Sequence, residues 1–138
     1  MEVRAYAWPL ENEKGDRKVI LAGMRLREDV INPEGAVLSA DQVKRLQAAV
    51  TGEHAEHALI RCYDPHNAFV FYDADKKPVA FVEVCFRCVG AAAVPPGTAR
   101  WKDFPALAKI FAELKLPIGG GQTLENFNKF FDSVKKAR

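Results

Sequence analysis

Three cysteines and one histidine have the types and spacing of metal ligands. Cys62 precedes His66 by four positions, Cys85 precedes Cys88 by three, and 18 residues separate the two pairs. Thiolates and imidazoles are the ligands of tetrahedral structural zinc, and short spacings of this kind are typical of such sites. Cys62, His66, Cys85 and Cys88 are therefore the candidate ligands of a zinc ion.

Other interpretations of these cysteines stay open. Cysteines in apolar strands are often small buried core residues with no further role. In an exported protein a Cys62–Cys85 disulfide would close a loop of about 24 residues. A redox-active pair is less favoured, because reactive Cys-x-x-Cys pairs lie at a helix N-terminus and no helical pattern follows Cys88.

The metal-site hypothesis depends on a predicted β-hairpin. Residues 68–72 and 78–86 are rich in aromatic and β-branched side chains, and the polar segment 73–77 between them is a turn signal. A loop centred in that segment pairs residues whose numbers sum to 151. His66 then lies opposite Cys85, with Cβ atoms about 5 Å apart.

The same register separates two faces of the hairpin. His66, Glu83 and Cys85 share one face. The opposite face, which the helices would cover, carries Phe69, Phe71, Ala80, Val82, Val84 and Phe86. Along a continuous strand Cys85 and Cys88 would point to opposite faces, so the strand must end or bulge between them if the two are to converge.

Three helices are predicted from capping signals and apolar periodicity. The first begins after Ser39, where Gln42 completes a capping box, and ends near Gly52. The second spans 103–115 and the third spans 123–136, each with apolar residues three or four positions apart. The last two helices would cover one face of the sheet.

The chain, residues 1–138, is predicted to form a single α+β domain. We expect an antiparallel sheet of about five strands packed by about three helices. Besides the hairpin, strands are predicted at 3–8, 18–26 and 58–63. Residues 90–102 are predicted to form a loop.

Charge and hydropathy exclude several classes of function. The chain has 20 Lys and Arg against 18 Asp and Glu, a balance that does not favour binding to nucleic acid. No apolar run approaches the about 20 residues that span a bilayer, and no signal-peptide pattern is present. We expect a soluble protein that is cytoplasmic, or exported with its signal peptide already removed.

A second constellation resembles the zinc deaminase signature, H-x-E with C-x-x-C. His54-Ala-Glu56 is followed, 31 residues after His54, by Cys85-Phe-Arg-Cys88. The resemblance implies that His54, Cys85 and Cys88 hold zinc and that Glu56 shuttles a proton to an activated water. Such a protein would be a zinc-dependent hydrolase.

Residues 62–73 and 82–88 also resemble a group of small bacterial proteins that share a C-x-x-P-H … C-F-x-C pattern. No activity is assigned to that group. The resemblance implies a shared local structure around the cysteines.

The function that these observations favour is a non-enzymatic binding module, because no nucleophile, base and orienting group can be assembled from the sequence. Its Cys/His cluster would hold a metal ion or a structural disulfide. An alternative is a module that binds a protein partner, or a second copy of itself, through the other sheet face. Trp8, Tyr72, Phe81 and Trp101 would then be the anchors.

Overall fold

The computed structural model describes residues 1–10, 20–21, 25–60 and 63–135. These residues have the predicted α+β fold, with one antiparallel five-stranded sheet, one two-stranded sheet and three helices. The strands are β1 (Glu2–Ala7), β2 (Ile20–Leu21), β3 (Arg25–Leu26), β4 (Ala36–Val37), β5 (Asn67–Tyr72), β6 (Pro78–Cys85) and β7 (Gly90–Val94). The helices are α1 (Ala40–Val50), α2 (Phe104–Glu113) and α3 (Leu124–Val134). The large sheet has the order β4-β1-β5-β6-β7, and β2 pairs with β3.

The β5–β6 hairpin has the predicted register over most of its length. Phe69 faces Val82, a pair whose numbers sum to 151. A bulge beside Tyr72 shifts the last pair, so that Tyr72 faces Pro78 instead of the expected Val79. The shift is confined to the turn end, and the alternation of the two faces is as predicted along the rest of the hairpin.

All three helices contribute to one core on the same face of the sheet, where the apolar row of the hairpin is buried. Phe86, which follows β6, is a centre of this core. Its ring lies edge-on to Phe111 of α2 and Phe127 of α3, with ring centroids 5.8 and 5.1 Å apart. Such edge-to-face pairs stabilise beyond the area that they bury. The end of β6 is thereby joined to two helices at once.

Each helix begins at the predicted side-chain cap. The Ser39 hydroxyl accepts the backbone N–H of Gln42 at 3.1 Å, and the Gln42 side chain accepts the N–H of Ser39 at 2.9 Å. Asp103 caps α2 and Thr123 caps α3 in the same way, through the N–H three residues later. Both α2 and α3 end two residues before their predicted limits.

Residues 90–102 are not the uninterrupted loop that was predicted, because β7 occupies their first five positions. Glycine and alanine are weak strand formers, so the local sequence does not indicate a strand here. The hydrogen bonds to β6 stabilise it instead, in pairs such as Phe81 with Val94. Tertiary pairing has overridden local propensity at this edge of the sheet.

The predicted strand 58–63 is also wrong over the residues that the structure describes. Residues 58–60 have no regular structure, and Leu59 is 71% exposed. The preceding His57 forms an isolated bridge with Lys135 instead.

The predicted strand 18–26 is also wrong as a single strand, because β2 and β3 within it pair with each other as antiparallel strands. Residues 18–19 and 22–24 of this prediction lie outside the described residues.

The capping box makes a prediction for stability. Replacing Ser39 with Ala leaves the N–H of Gln42 without its side-chain acceptor and should lower the free energy of unfolding by about 1 kcal/mol. Urea denaturation followed by circular dichroism measures the change. Ser133→Ala is the matched control, since Ser133 is also exposed and lies at the end of a helix. An equal loss in both variants would contradict a specific role for the cap.

Candidate functional site

Cys85 and Cys88 are joined by a disulfide at the turn between β6 and β7. Cys85 is the last residue of β6, and residues 86–89 reverse the chain so that Cys85 faces Gly90, the first residue of β7. The strand therefore ends between the two cysteines, which is the condition for their convergence. Their Cα atoms are 5.4 Å apart.

Both cysteines are buried. Cys85 is 2% exposed and Cys88 is 5% exposed, and the backbone N–H of Cys88 donates to the Cys85 sulfur at 3.2 Å. Thiol–disulfide exchange requires that an attacking thiolate reach a sulfur atom. Burial of both sulfurs in a tight turn is therefore typical of a structural disulfide rather than of a catalytic one.

His66 is buried, and both of its ring nitrogens have hydrogen-bonding partners. Nδ1 lies 2.9 Å from the carbonyl oxygen of Pro9, and Nε2 lies 3.2 Å from a carboxylate oxygen of Asp64. The backbone carbonyl of His66 also accepts the N–H of Trp8 at 3.0 Å. His66 thus connects the start of β5 to the chain that follows β1.

The described members of the predicted zinc set are not arranged as metal ligands. Cys85 and Cys88 are bonded to each other, and His66 is engaged as above. Within the described ranges, no three side chains of His, Cys, Asp or Glu converge as a metal site. The fourth predicted ligand, Cys62, lies outside those ranges. The suggested Cys62–Cys85 bridge is wrong, because the turn after β6 brings Cys88 to Cys85 instead.

The residues of the deaminase-like pattern do not converge on one metal site either. His54 follows α1, where its Nε2 lies 2.9 Å from the carbonyl oxygen of Ala48 and 2.7 Å from that of Thr51. Glu56 is exposed. The Cys-x-x-Cys segment joins β6 to β7.

A buried polar pair lies beside the disulfide. Glu83 is 4% exposed, and the hydroxyl of Tyr63 donates to its carboxylate at 3.4 Å. Burial, together with the nearby charge of Glu83, raises the pKa of Tyr63 well above its ordinary value. A Cβ atom at Gly90 would lie 3.3 Å from the Tyr63 ring and 3.5 Å from the Cys88 sulfur. A residue without a side chain therefore suits this position in the turn.

Asn67 joins the sheet to the segment between α2 and α3, and it was not among the predicted site residues. Its fully buried amide donates to the carbonyl of Pro117 and accepts the N–H of Gly119, both at 2.8 Å. Arg87, in the cysteine turn, donates to the carbonyl of Gly119 at 2.9 Å. The three-glycine segment 119–121 is therefore attached to the sheet and to the turn. The sequence signal that could have identified Asn67 is its position as a polar residue at the start of an otherwise apolar strand.

Trp8, one of the predicted binding anchors, is buried. It is 1% exposed, and the Arg27 guanidinium lies 4.6 Å from the centre of its ring. Val30 packs in the same cluster, on the sheet face opposite the helices. This part of the second face is covered, so Trp8 is not available as an anchor.

Trp101, another predicted anchor, is half-buried against His57. The two rings meet edge-on with centroids 5.0 Å apart, and Phe104 and Phe131 contact the same histidine ring. His57 is 2% exposed. No sequence pattern indicates this burial, because the surrounding rings come from α2, α3 and the segment before α2.

Next to the cluster around Trp8, against which Phe81 also packs, the second face carries an apolar surface that we call the edge patch: Val79, Phe81, Ala92 and Val94. Phe81 faces Val94 across the two strands, and the other two residues lie two positions from these on the same face. Val79 is 47% exposed, Val94 is 50% exposed, and Phe81 is half-buried. The edge patch is thus largely exposed to solvent.

Comparisons with known proteins found no matching family model, no similar curated protein and no similar solved structure. The two sequence resemblances therefore remain predictions. None of the three helices in the described part of the chain has the length and the continuous apolar stretch that spanning a bilayer requires.

The disulfide assignment predicts the result of peptide mapping. Trypsin cuts after Arg87, between the two cysteines, so a non-reduced and thiol-blocked digest should contain peptide 77–87 linked to peptide 88–100. A Cys62–Cys85 bridge would instead link peptide 62–76 to peptide 77–87. Mass spectrometry with and without reductant distinguishes the two, and blocked cysteine in all three peptides would contradict any disulfide.

The disulfide should also contribute to stability. Closing a loop of four residues stabilises by about 2 kcal/mol in the chain-entropy model. Reductant should therefore lower the free energy of unfolding of the wild-type protein by about that amount. The Cys85→Ala, Cys88→Ala double variant should not respond to reductant, whereas the Cys62→Ala variant should respond like the wild type. A response that is lost in Cys62→Ala would refute the pairing.

Proposed function

We propose that the protein is a non-enzymatic binding module that docks a protein partner on the edge patch and the adjacent backbone of β7. The observation that carries this proposal is the exposure of Val79 and Val94 on either side of Phe81. Clustered exposed apolar side chains commonly mark protein interfaces.

The edge position of β7 supports the proposal. Within the described part of the chain, β7 pairs with β6 on one side and with no strand on the other. An edge strand presents unpaired N–H and C=O groups, which can hydrogen-bond an added strand. Protected edges commonly carry charges, and Gly90–Val94 carries none. An extended segment with apolar side chains at alternate positions is the partner that this edge fits.

The disulfide constrains the turn that leads into β7, the strand on which we propose that the partner docks. It holds the residues before and after the turn together, and Cys85 pairs directly with Gly90. A strand whose conformation is fixed before binding loses less entropy when a partner is added. We therefore assign the bridge a structural role. A zinc site has less support, because His66 and the two bridged cysteines already have other partners.

Self-association tests this mode of docking, because the β7 strand of a second copy meets the requirements for the added strand. Two copies should pair β7 with β7, so light scattering after size exclusion should show a dimer whose fraction rises with protein concentration. Val94→Lys should shift the equilibrium to monomer, because the pairing would bury or juxtapose the added charges.

Val37→Lys is the matched control. Val37 is also 50% exposed and lies in β4, at the opposite edge of the sheet. It should leave the dimer fraction unchanged. A monomer at every concentration, or an equal effect of the two substitutions, would count against docking at β7.

A further inference from the structure

A cleft of about 210 Å³ lies where the chain after α1 meets the start of α2 and the end of α3. None of the edge-patch residues contributes to it. Its volume is below that of pockets for drug-sized ligands, which begin near about 300 Å³, so it suits a small molecule. Apolar walls come from Pro105 at the start of α2 and from Phe131 of α3.

Lys102 lines this cleft and is buried, which is uncommon for a lysine. The residue is 8% exposed, and its ammonium group donates to the carbonyl of Ala99 at 2.7 Å. No carboxylate of the described residues forms an ion pair with it. Burial lowers the pKa of Lys102. A buried ammonium without a counter-charge is costly, and an anion bound beside it would offset that cost.

The two acidic residues of the cleft already have other partners. The Asp103 carboxylate caps α2 by accepting the N–H of Ala106 at 3.1 Å. Asp132 of α3 lies 3.9 Å from the ammonium of Lys135, the residue that directly follows this helix. Lys135 also lines the cleft and has Asp132 as its carboxylate partner, so Lys102 is the lysine of this cleft that forms no ion pair among the described residues.

We propose that this cleft binds a small aliphatic carboxylate. Its charged end pairs with the ammonium of Lys102, and its short apolar part packs against Phe131 and Pro105. This site shares no residue with the edge patch, so a negative result for one proposal does not contradict the other. Binding in the cleft does not require association through β7, because the two sites share no residue.

Butyrate is the probe, and amide chemical shifts of the isotope-labelled protein are the measurement. Butyrate should produce saturable shifts at residues that line the cleft, such as Ala55 and Asp103. Lys102→Met keeps the apolar stem and removes the charge, so it should weaken butyrate binding by about tenfold or more. Lys129→Met removes an exposed lysine of α3 that lies outside the cleft and should bind butyrate like the wild type.

A second probe keeps the proposal testable if Lys102→Met does not fold. Butylammonium has a similar apolar chain and the opposite charge, so it should produce no saturable shift at the same residues of the wild-type protein. Sodium chloride at equal ionic strength should produce none either. The proposal is overturned if butyrate gives no saturable shift, if butylammonium or chloride reproduces the shifts, or if Lys102→Met binds butyrate as tightly as the wild type.

Discussion

The register of the β5–β6 hairpin decides which side chains enter the core. Side chains alternate across a strand, so a slip by one residue would expose Phe69 and turn Glu83 towards the helices. The turn sets this register locally, because the Asp73 carboxylate accepts the N–H groups of Asp75 and Lys77, both at 2.9 Å. This register places Phe69, Val82 and Val84 on one face of the sheet, and the helices pack on that face.

Elements with local signals were predictable, and elements that depend on distant partners were not. The three helix caps and the alternating pattern of the hairpin are read from adjacent residues, and the structure confirms them. β7 consists of weak strand formers and exists because β6 provides its hydrogen bonds. The burial of Trp8 similarly depends on Arg27 and Val30, whose position follows from a loop and not from a periodic pattern.

The cysteine spacing was visible in the sequence, but its chemistry was not. A Cys-x-x-Cys segment is compatible with metal ligation, with redox exchange and with a structural bridge. The outcome depends on where β6 ends and on the space beside Gly90, which the Tyr63 ring and the Cys88 sulfur occupy. Asn67 shows the same limit, because its two partners lie 50 and 52 residues later in the chain.

The packing of the two sheet faces restricts where this fold can bind anything. The helix face is filled by side chains from all three helices, with Phe86 at its centre. On the opposite face, Trp8 and its neighbours fill one part, and Glu83 with Tyr63 fills the part beside the disulfide. The edge patch and the cleft around Lys102, the two surfaces for which we propose ligands, both lie at the periphery of the described structure.

Both peripheral surfaces are attached to rigid elements. The disulfide holds the first residues of β7, and the cap at Asp103 fixes the start of α2 directly after Lys102. Because the backbone at each surface is already ordered, a ligand or partner would need to immobilise few side chains, and little binding free energy would be lost to ordering. The same interactions that stabilise the turn and the helix start would thus favour the binding that we propose at both surfaces, without a change of fold.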